Sequence, residues 1–335
     1  MSSYIVKKLS TWCLAPILLL MGVTITGCSQ PEASLAPASI HRYVEDNLID
    51  ATLSTDSQLT VTLSRTRELS VWDNISKTLQ HQWQAHNFDE PNYLIALSGN
   101  KRFLAAAGKS RLSIFDLTTG QLTLSWLAQG FDKDASISSL FLSKTGNQVL
   151  IGMNEGSLLS INLRSNQLSK FQLHKGPVSH VEFIAHNEQL LSAAHDGHLI
   201  ISASSNGKII KEFNLPQRLT SVSFDQANRR LFISDAIDNH LIADSLSGES
   251  ISKLTFLERY RYFRQALFAE RGKTLITASS KQKIMVWDLN SGKETKHWSI
   301  TAFTAGTTVL DMVVAPNGQL VTISSDGALE SWKYN

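Results

Sequence analysis

Beyond residue 40 the chain is a succession of short apolar runs separated by polar turns, with no credible long helical periodicity. The stretch 178–213 shows the unit. Val178-Ser179-His180-Val181-Glu182-Phe183 alternates apolar and polar side chains, the period-2 pattern of a half-buried strand. A polar turn at His186-Asn187-Glu188 leads into Gln189-Leu190-Leu191-Ser192-Ala193-Ala194, a second strand apolar enough to be buried on both faces. Asp196-Gly197 is a tight-turn pair, because glycine takes a positive φ at little steric cost. Leu199-Ile200-Ile201-Ser202 reads as a third strand. After Asn206-Gly207, the run from Ile209 to Phe213 reads as a fourth. The second-strand pattern returns in Phe103-Leu104-Ala105-Ala106-Ala107 and Thr274-Leu275-Ile276-Thr277-Ala278.

The unit repeats seven times. Its anchor is an apolar pair followed by an aromatic–acid dipeptide and a turn. It occurs as Ser70-Val71-Trp72-Asp73, Ser113-Ile114-Phe115-Asp116 and Met285-Val286-Trp287-Asp288, and Glu330-Ser331-Trp332-Lys333 closes the chain. Leu159-Ser160-Ile161-Asn162, Ile200-Ile201-Ser202-Ala203 and Leu241-Ile242-Ala243-Asp244 are weaker copies. The anchors fall at 72, 115, 161, 202, 243, 287 and 332, so the spacing stays between 41 and 46 residues. This period and dipeptide resemble the WD (Trp-Asp) repeat, each copy of which forms a four-stranded propeller blade. The resemblance implies an all-β fold: a seven-bladed β-propeller of four-stranded antiparallel blades over 40–335. The seventh repeat ends after its third strand. Ile40-His41-Arg42-Tyr43-Val44 has no place in the first repeat and is expected to supply the missing strand, closing the ring and removing two sheet edges.

Members of the WD family often tie a blade together with hydrogen-bonded His, Ser/Thr, Asp and Trp. The Asp is expected six positions before the Trp. Asp196 and Asp326 fit, and Glu155 is a near substitute, whereas Thr66, Lys109, Ile237 and Lys281 occupy the other equivalent places. His174 and His86 are the matching histidines. No repeat has the whole set, so apolar packing between blades is expected to hold the ring. Trp72, Phe115, Trp287, Trp332, His174, Asp196 and Asp326 are the expected structural anchors.

The N-terminus has a different pattern. Lys7 and Lys8 precede an apolar stretch, 14–23, broken by Pro16 and Gly22, which reads as a signal segment too short to span a membrane. Its end, Ile25-Thr26-Gly27-Cys28, resembles the lipobox of bacterial lipoproteins. That resemblance implies cleavage of 1–27, lipidation of Cys28 and a flexible tether over 28–39, with Pro31 and Pro37. Ser29, rather than Asp, after the cysteine implies the outer membrane, with the domain facing the periplasm. Several acyl chains would give stable anchoring.

Composition narrows the chemistry. The chain has 31 Lys+Arg and 29 Asp+Glu, and without Lys7 and Lys8 the balance is even, which argues against nucleic acid as the main partner. Both cysteines, Cys13 and Cys28, lie near the N-terminus, so no internal disulfide framework or cysteine-based zinc site is expected. Half of the ten histidines, His174, His180, His186, His195 and His198, fall within 25 residues. The strand assignment puts His186 on the opposite rim from His174, so at most His174, His195 and His198 could converge. His174 is instead expected to bond Asp196, and no metal is expected. No Gly-x-Ser-x-Gly elbow, P-loop, dinucleotide fingerprint or His-Glu-x-x-His occurs. Phe115 to Trp126 resembles one repeat of quinone-cofactor dehydrogenases, and Asp288-Leu289-Asn290-Ser291-Gly292 is a second partial echo. Neither supplies that cofactor's ligands, so no cofactor and no enzymatic activity are expected. The non-catalytic propeller lipoprotein of the outer-membrane β-barrel assembly machine belongs to the same related repeat class.

The best surface candidate is Glu258-Arg259-Tyr260-Arg261-Tyr262-Phe263-Arg264, between the fifth and sixth repeats, because Arg and Tyr are enriched at interface hot spots. Loops of the same type carry Phe88, Phe131 and Phe303. Together, Phe88, Phe131, Arg259, Tyr260, Arg261, Arg264 and Phe303 would form one aromatic-and-arginine collar for partner binding. The expected function is a lipid-anchored, non-catalytic protein-interaction platform in the bacterial cell envelope. It would be a monomeric propeller binding envelope proteins, with outer-membrane protein assembly as the process that fold and address suggest. The alternative is a periplasmic small-ligand or glycan binder, or weak enzyme, that uses the axial funnel.

Overall fold

A computed structural model describes residues 35–256 and 261–334. It is a seven-bladed β-propeller of four-stranded antiparallel blades. The blades run from the axial channel outward as Leu48–Leu53 to Thr78–Trp83, Leu94–Leu97 to Gln121–Leu127, Ile137–Leu142 to Gln167–Gln172, Val178–Ile184 to Ile209–Asn214, Leu219–Asp225 to Ser250–Lys253, and Phe263–Ala269 to Glu294–Ser299. The seventh comprises Val309–Val314, Leu320–Ser324 and Ala328–Trp332, and its outer strand is Ser39–Arg42.

The two middle strands of each blade read as apolar runs because both faces are buried. Successive side chains of a strand point to opposite faces. In Phe103–Ala107, Leu104 and Ala106 pack with Val61, Leu63 and Val71 of blade 1, while Ala105 and Ala107 pack with Val149 and Ile151 of blade 3. In the next blade, Leu150 turns the other way, toward Val178 and Phe183 of blade 4. Among the described residues the apolar clusters straddle every junction: 1/2, 2/3, 3/4, 4/5, 5/6, 6/7 and 7/1. Each blade is thus one layer of two neighbouring cores. The outer strands face solvent on one side, and Thr78–Trp83 is mostly exposed.

The aromatic–acid dipeptide has two separate jobs. The indole N–H groups of Trp72, Trp287 and Trp332 donate to Thr62, Thr277 and Thr322 at 3.0, 2.8 and 3.1 Å. Each threonine lies on the preceding strand, so the ring, buried for Trp287 and Trp332 and half-buried for Trp72, has its one donor satisfied. The acid then caps the turn to the outer strand: Asp73 accepts from the amides of Ile75 and Ser76, both at 2.8 Å, and Asp116 accepts from the amide of Thr118 at 2.8 Å. The Ser76 and Ile75 amides hold the Asp73 carboxyl below the usual carboxylate range. Trp332 is followed by Lys333 instead, and the outer strand of that blade comes from the N-terminal end.

The ring closes through Ser39↔Ser331, Ile40↔Glu330, His41↔Leu329 and Arg42↔Ala328. The segment before it also docks: the amide of Ala38 donates to the Ser331 carbonyl at 2.7 Å, and Leu35 packs against the blade 6/7 core. Residues 35–39, read from composition as tether, are therefore held on the seventh blade. The carbonyl of Gly327 accepts from the amide of Tyr43 at 2.9 Å, and Gly327 has φ +76°. A Cβ at Gly327 would lie 2.6 Å from Val44 Cγ2 and 2.7 Å from the Val44 carbonyl oxygen.

The left-handed backbone and this close approach make Gly327→Ala destabilising by about 1–3 kcal/mol. Truncation of the described chain before Tyr43 exposes the edge of Ala328–Trp332 and should cause association. Thermal melts read by circular dichroism and size-exclusion chromatography check both; an unchanged melt for either variant would show that closure contributes little.

Candidate protein-interaction rim

The loops that join one blade to the next share a rim with the turns between each blade's second and third strands. Buried or half-buried carboxylates pin several of these loops. Asp326, fully buried, accepts from the Phe303 amide at 2.6 Å and from the Thr304 and Thr307 hydroxyls at 2.6 and 2.5 Å. Asp196 accepts from the Lys175 amide at 2.9 Å and pairs with His174 Nδ1 at 3.3 Å, while His174 Nε2 bonds Ser192 at 2.8 Å. Burial lowers the His174 pKa, and Asp196 only partly opposes it. Glu155 accepts from the Phe131 amide at 3.0 Å and the Ser157 hydroxyl at 2.7 Å. In blade 2 the direction is reversed: Glu90, on the loop, accepts from the Ser110 amide at 2.7 Å and from the Arg111 amide. In blade 5, Asp235 folds its own turn by accepting from the amides of Ile237, Asp238 and Asn239.

The clustered histidines do not converge. His198 pairs with Glu212, His195 is exposed, and His186 lies on the opposite rim with φ 57°. His180 sits in the axial channel, 3.7 Å from Glu182. Among the described residues no three His, Cys, Asp or Glu side chains are grouped to hold a metal ion.

Nor do the proposed partner-binding residues form one collar. Phe131 and Phe303 stand out from the rim, 57% and 46% exposed, and the Arg42 guanidinium covers the Phe303 ring at 4.6 Å. Phe88 turns inward against the blade 1/2 core, edge-on to Phe115 at 5.8 Å. Arg261 is drawn in as well. Its side chain is 12% exposed, bonds Glu294 at 2.5 Å and lies 4.5 Å from the Phe256 ring. Phe263 is buried in the blade 5/6 core. Arg259 and Tyr260 lie outside the described residues, as does Cys28.

Arg264 is displaced for a topological reason. The inner strands of six blades carry a bulge at the same place, between Leu48 and Asp50, Ile137 and Ser139, Val178 and His180, Leu219 and Ser221, Phe263 and Gln265, and Val309 and Asp311. A bulge adds an unpaired residue and breaks the alternation. Ile49, Ser179, Thr220, Arg264 and Leu310, all bulged residues, line cavities on the axis. One, about 410 Å³, contains His180, Glu182, Thr220 and Gln265; the other, about 260 Å³, opens at the rim between blades 6, 7 and 1. Arg264 lines both.

Residues just past the bulges staple neighbouring blades, a role absent from the sequence reading. Asp50 accepts from the Ile95 amide at 2.9 Å; Asp311 accepts from the Leu53 amide at 2.8 Å and the Thr52 hydroxyl at 3.1 Å; Gln265 donates to the Leu310 carbonyl. The available signal was a carboxylate or amide at one phase of three inner strands. Desolvation pushes Asp50 up to about 7 and Asp311 up to about 6, in spite of these amides. His240 is sealed between Phe256 and Phe263, with ring centroids 5.4 and 4.8 Å away, and burial pushes it down to about 4.

These shifts oppose one another. The two acids bind protons more tightly in the fold than in the unfolded chain, so their contribution is full below about pH 4 and lost as pH rises to 7. His240 binds its proton less tightly in the fold, so its contribution is lost as pH falls from 6.5 toward 4. In Tm-versus-pH curves, Asp50→Asn should therefore rise more steeply with pH across this window than the unmodified protein, and His240→Gln should fall relative to it. Parallel curves for all three would refute the assignment.

Residues 82–305, about two thirds of the chain and spanning blades 2 to 6, match the family described as the Pep3/Vps18/deep orange beta-propeller domain. The chain is 22% identical over 190 residues to the U3 small nucleolar RNA-associated protein 21 of Saccharomyces cerevisiae, covering 56% of this chain and 19% of the relative. It is 21% identical over 220 residues to the target of rapamycin complex subunit wat1 of Schizosaccharomyces pombe, covering 63% and 67%. A vacuolar protein sorting-associated protein 41 homolog of Arabidopsis thaliana is 21% identical over 108 residues, covering 31% and 11%. The chain thus spans only a small part of two of these relatives.

These similarities correct the reading taken from Ile25 to Cys28. The propeller is related to eukaryotic propellers, not to a bacterial WD lipoprotein. The bacterial envelope, outer-membrane and periplasmic placement falls with it, as do the lipid-anchored platform, the monomeric state with envelope partners and the periplasmic ligand-binding alternative. One of these relatives is named as a complex subunit.

Proposed function

Since the chain belongs to the Pep3/Vps18/deep orange β-propeller domain family, we propose that it is a non-catalytic scaffold that works as a subunit of a larger protein assembly. The observation that carries this reading is the rim: Phe131 and Phe303 are exposed while their own backbone amides are held by Glu155 and Asp326. Exposed aromatic side chains on a fixed backbone lose little conformational entropy when a partner covers them. Aromatic residues are also enriched at the buried centres of interfaces. The complex subunit among the relatives, of which the chain covers 67%, supports the same reading.

The test is native size in extracts of the source cells. The chain alone has a mass of 37.1 kDa. The reading expects it in a larger assembly, with Phe131→Ala/Phe303→Ala shifting it toward the free chain while its melting temperature stays the same. A chain that runs alone would refute the scaffold; a large assembly indifferent to the two substitutions would move the interface elsewhere.

A further inference from the structure

The rim pocket between blades 6, 7 and 1 carries a charge arrangement that the scaffold reading does not use. It is lined by Arg65 and Arg264 with Asn47, Thr304, Thr308 and Ser325, and no carboxylate is among its lining residues. Both arginines are exposed, and among the described residues neither guanidinium has a hydrogen-bond or ion-pair partner. Asp326, the acid beside Ser325, is fully buried and its oxygens are taken by Phe303, Thr304 and Thr307. It therefore forms no ion pair with either arginine. Thr308 is 5% exposed, and among the described residues its hydroxyl has no hydrogen-bond partner.

The two arginines reach one cavity by unrelated routes. Arg65 comes from the turn of blade 1, whose backbone amide donates to the Asn47 carbonyl at 3.0 Å. Arg264 is the bulged residue of the blade 6 inner strand, turned to the axis by the extra residue. Both arginines line one cavity of about 260 Å³, and an anion bound there would offset their like charges. A guanidinium fork matches the two oxygens of a carboxylate. Thr304 lines the pocket and follows Phe303, whose ring is 46% exposed on the same rim. Charged and apolar features are thus side by side.

We propose that this pocket takes the carboxylate of an acidic peptide segment from a partner protein, with a neighbouring apolar side chain of that segment set against Phe303. The proposal rests on the scaffold reading and names the chemistry of the partner. Charge complementarity selects the acid, and the adjacent exposed ring selects a peptide over a free anion.

The test is calorimetric titration of the full chain with the blocked tetrapeptide Phe-Glu-Glu-Phe, its isostere Phe-Gln-Gln-Phe, and inorganic phosphate. The glutamate peptide should bind at least tenfold more tightly than the glutamine peptide, and rising salt should erode the difference. Arg65→Ala/Arg264→Ala, with both side chains exposed, should keep the melting temperature and lose at least tenfold of the glutamate affinity. Equal binding of the two peptides, retained affinity in the arginine variant, or no peptide binding would overturn the proposal. Phosphate binding as tight as the glutamate peptide would assign the pocket to free anions and overturn the peptide. Each of these failures leaves the Phe131/Phe303 size experiment standing, so the pocket and the scaffold can fail separately.

Discussion

Apolar packing between blades is the interaction on which the rest of this protein depends. A single four-stranded blade cannot bury both of its faces. Leu104 and Ala106 need blade 1, and Ala105 and Ala107 need blade 3, although all four are consecutive residues of one strand. Every blade is therefore stabilised by two neighbours, and the last must find the first. The closing strand meets that need. Ser39–Arg42 pairs along Ala328–Trp332, and Leu48, Ala51 and Leu53 of blade 1 join Val321, Ile323 and Leu329 of blade 7 in one cluster. Closure also leaves no long open sheet edge in the seventh blade, where unpaired backbone groups would otherwise invite another chain.

Polar groups do a second, more local job. The apolar clusters orient the sheets, and hydrogen bonds then fix the loops that those sheets present. Asp73 and Asp116 cap turns next to the outer strands. Asp196, Asp326 and Glu155 hold interblade loops on the rim. On the axis, Asp50, Asp311 and Gln265 tie neighbouring inner strands together. The cost of burying Asp50 and Asp311 appears as their raised pKa values, because ionisation within the ring gives up solvation that the backbone amides only partly replace. The result is a rim whose backbone is held from within, so its exposed side chains can serve recognition.

Much of this was legible in the chain. The strands of blade 4 fall within a residue of where alternation and the Asp196-Gly197 turn place them, and the closing segment pairs as the missing seventh-blade strand demands. The candidate site was less legible. By sequence alone, Phe88, Phe131, Phe303 and the arginines after residue 258 fall in equivalent interblade connections, and that equivalence suggests a shared direction. Phe88 instead joins a core, Arg261 finds Glu294, and Arg264 turns to the axis. Local pattern cannot tell an exposed aromatic from one that fills a gap between blades. Nor could it foresee Arg65, which becomes a neighbour of Arg264 only because blades 1 and 6 flank the same pocket.

The sequence by itself determined the number of blades, their strand order and the manner of closure. Those follow from a period of 41 to 46 residues, from strand alternation and from turn residues, all of them short-range properties. The similarity to eukaryotic propellers, rather than the short segment ending at Cys28, places the chain in its family. Only the tertiary structure decided which side chains are free to act. A single bulged residue reverses the direction of everything beside it, and a carboxylate three strands away decides whether a loop residue is held or exposed. Both depend on how separate strands pair and pack in the folded blade, which no single run of sequence contains.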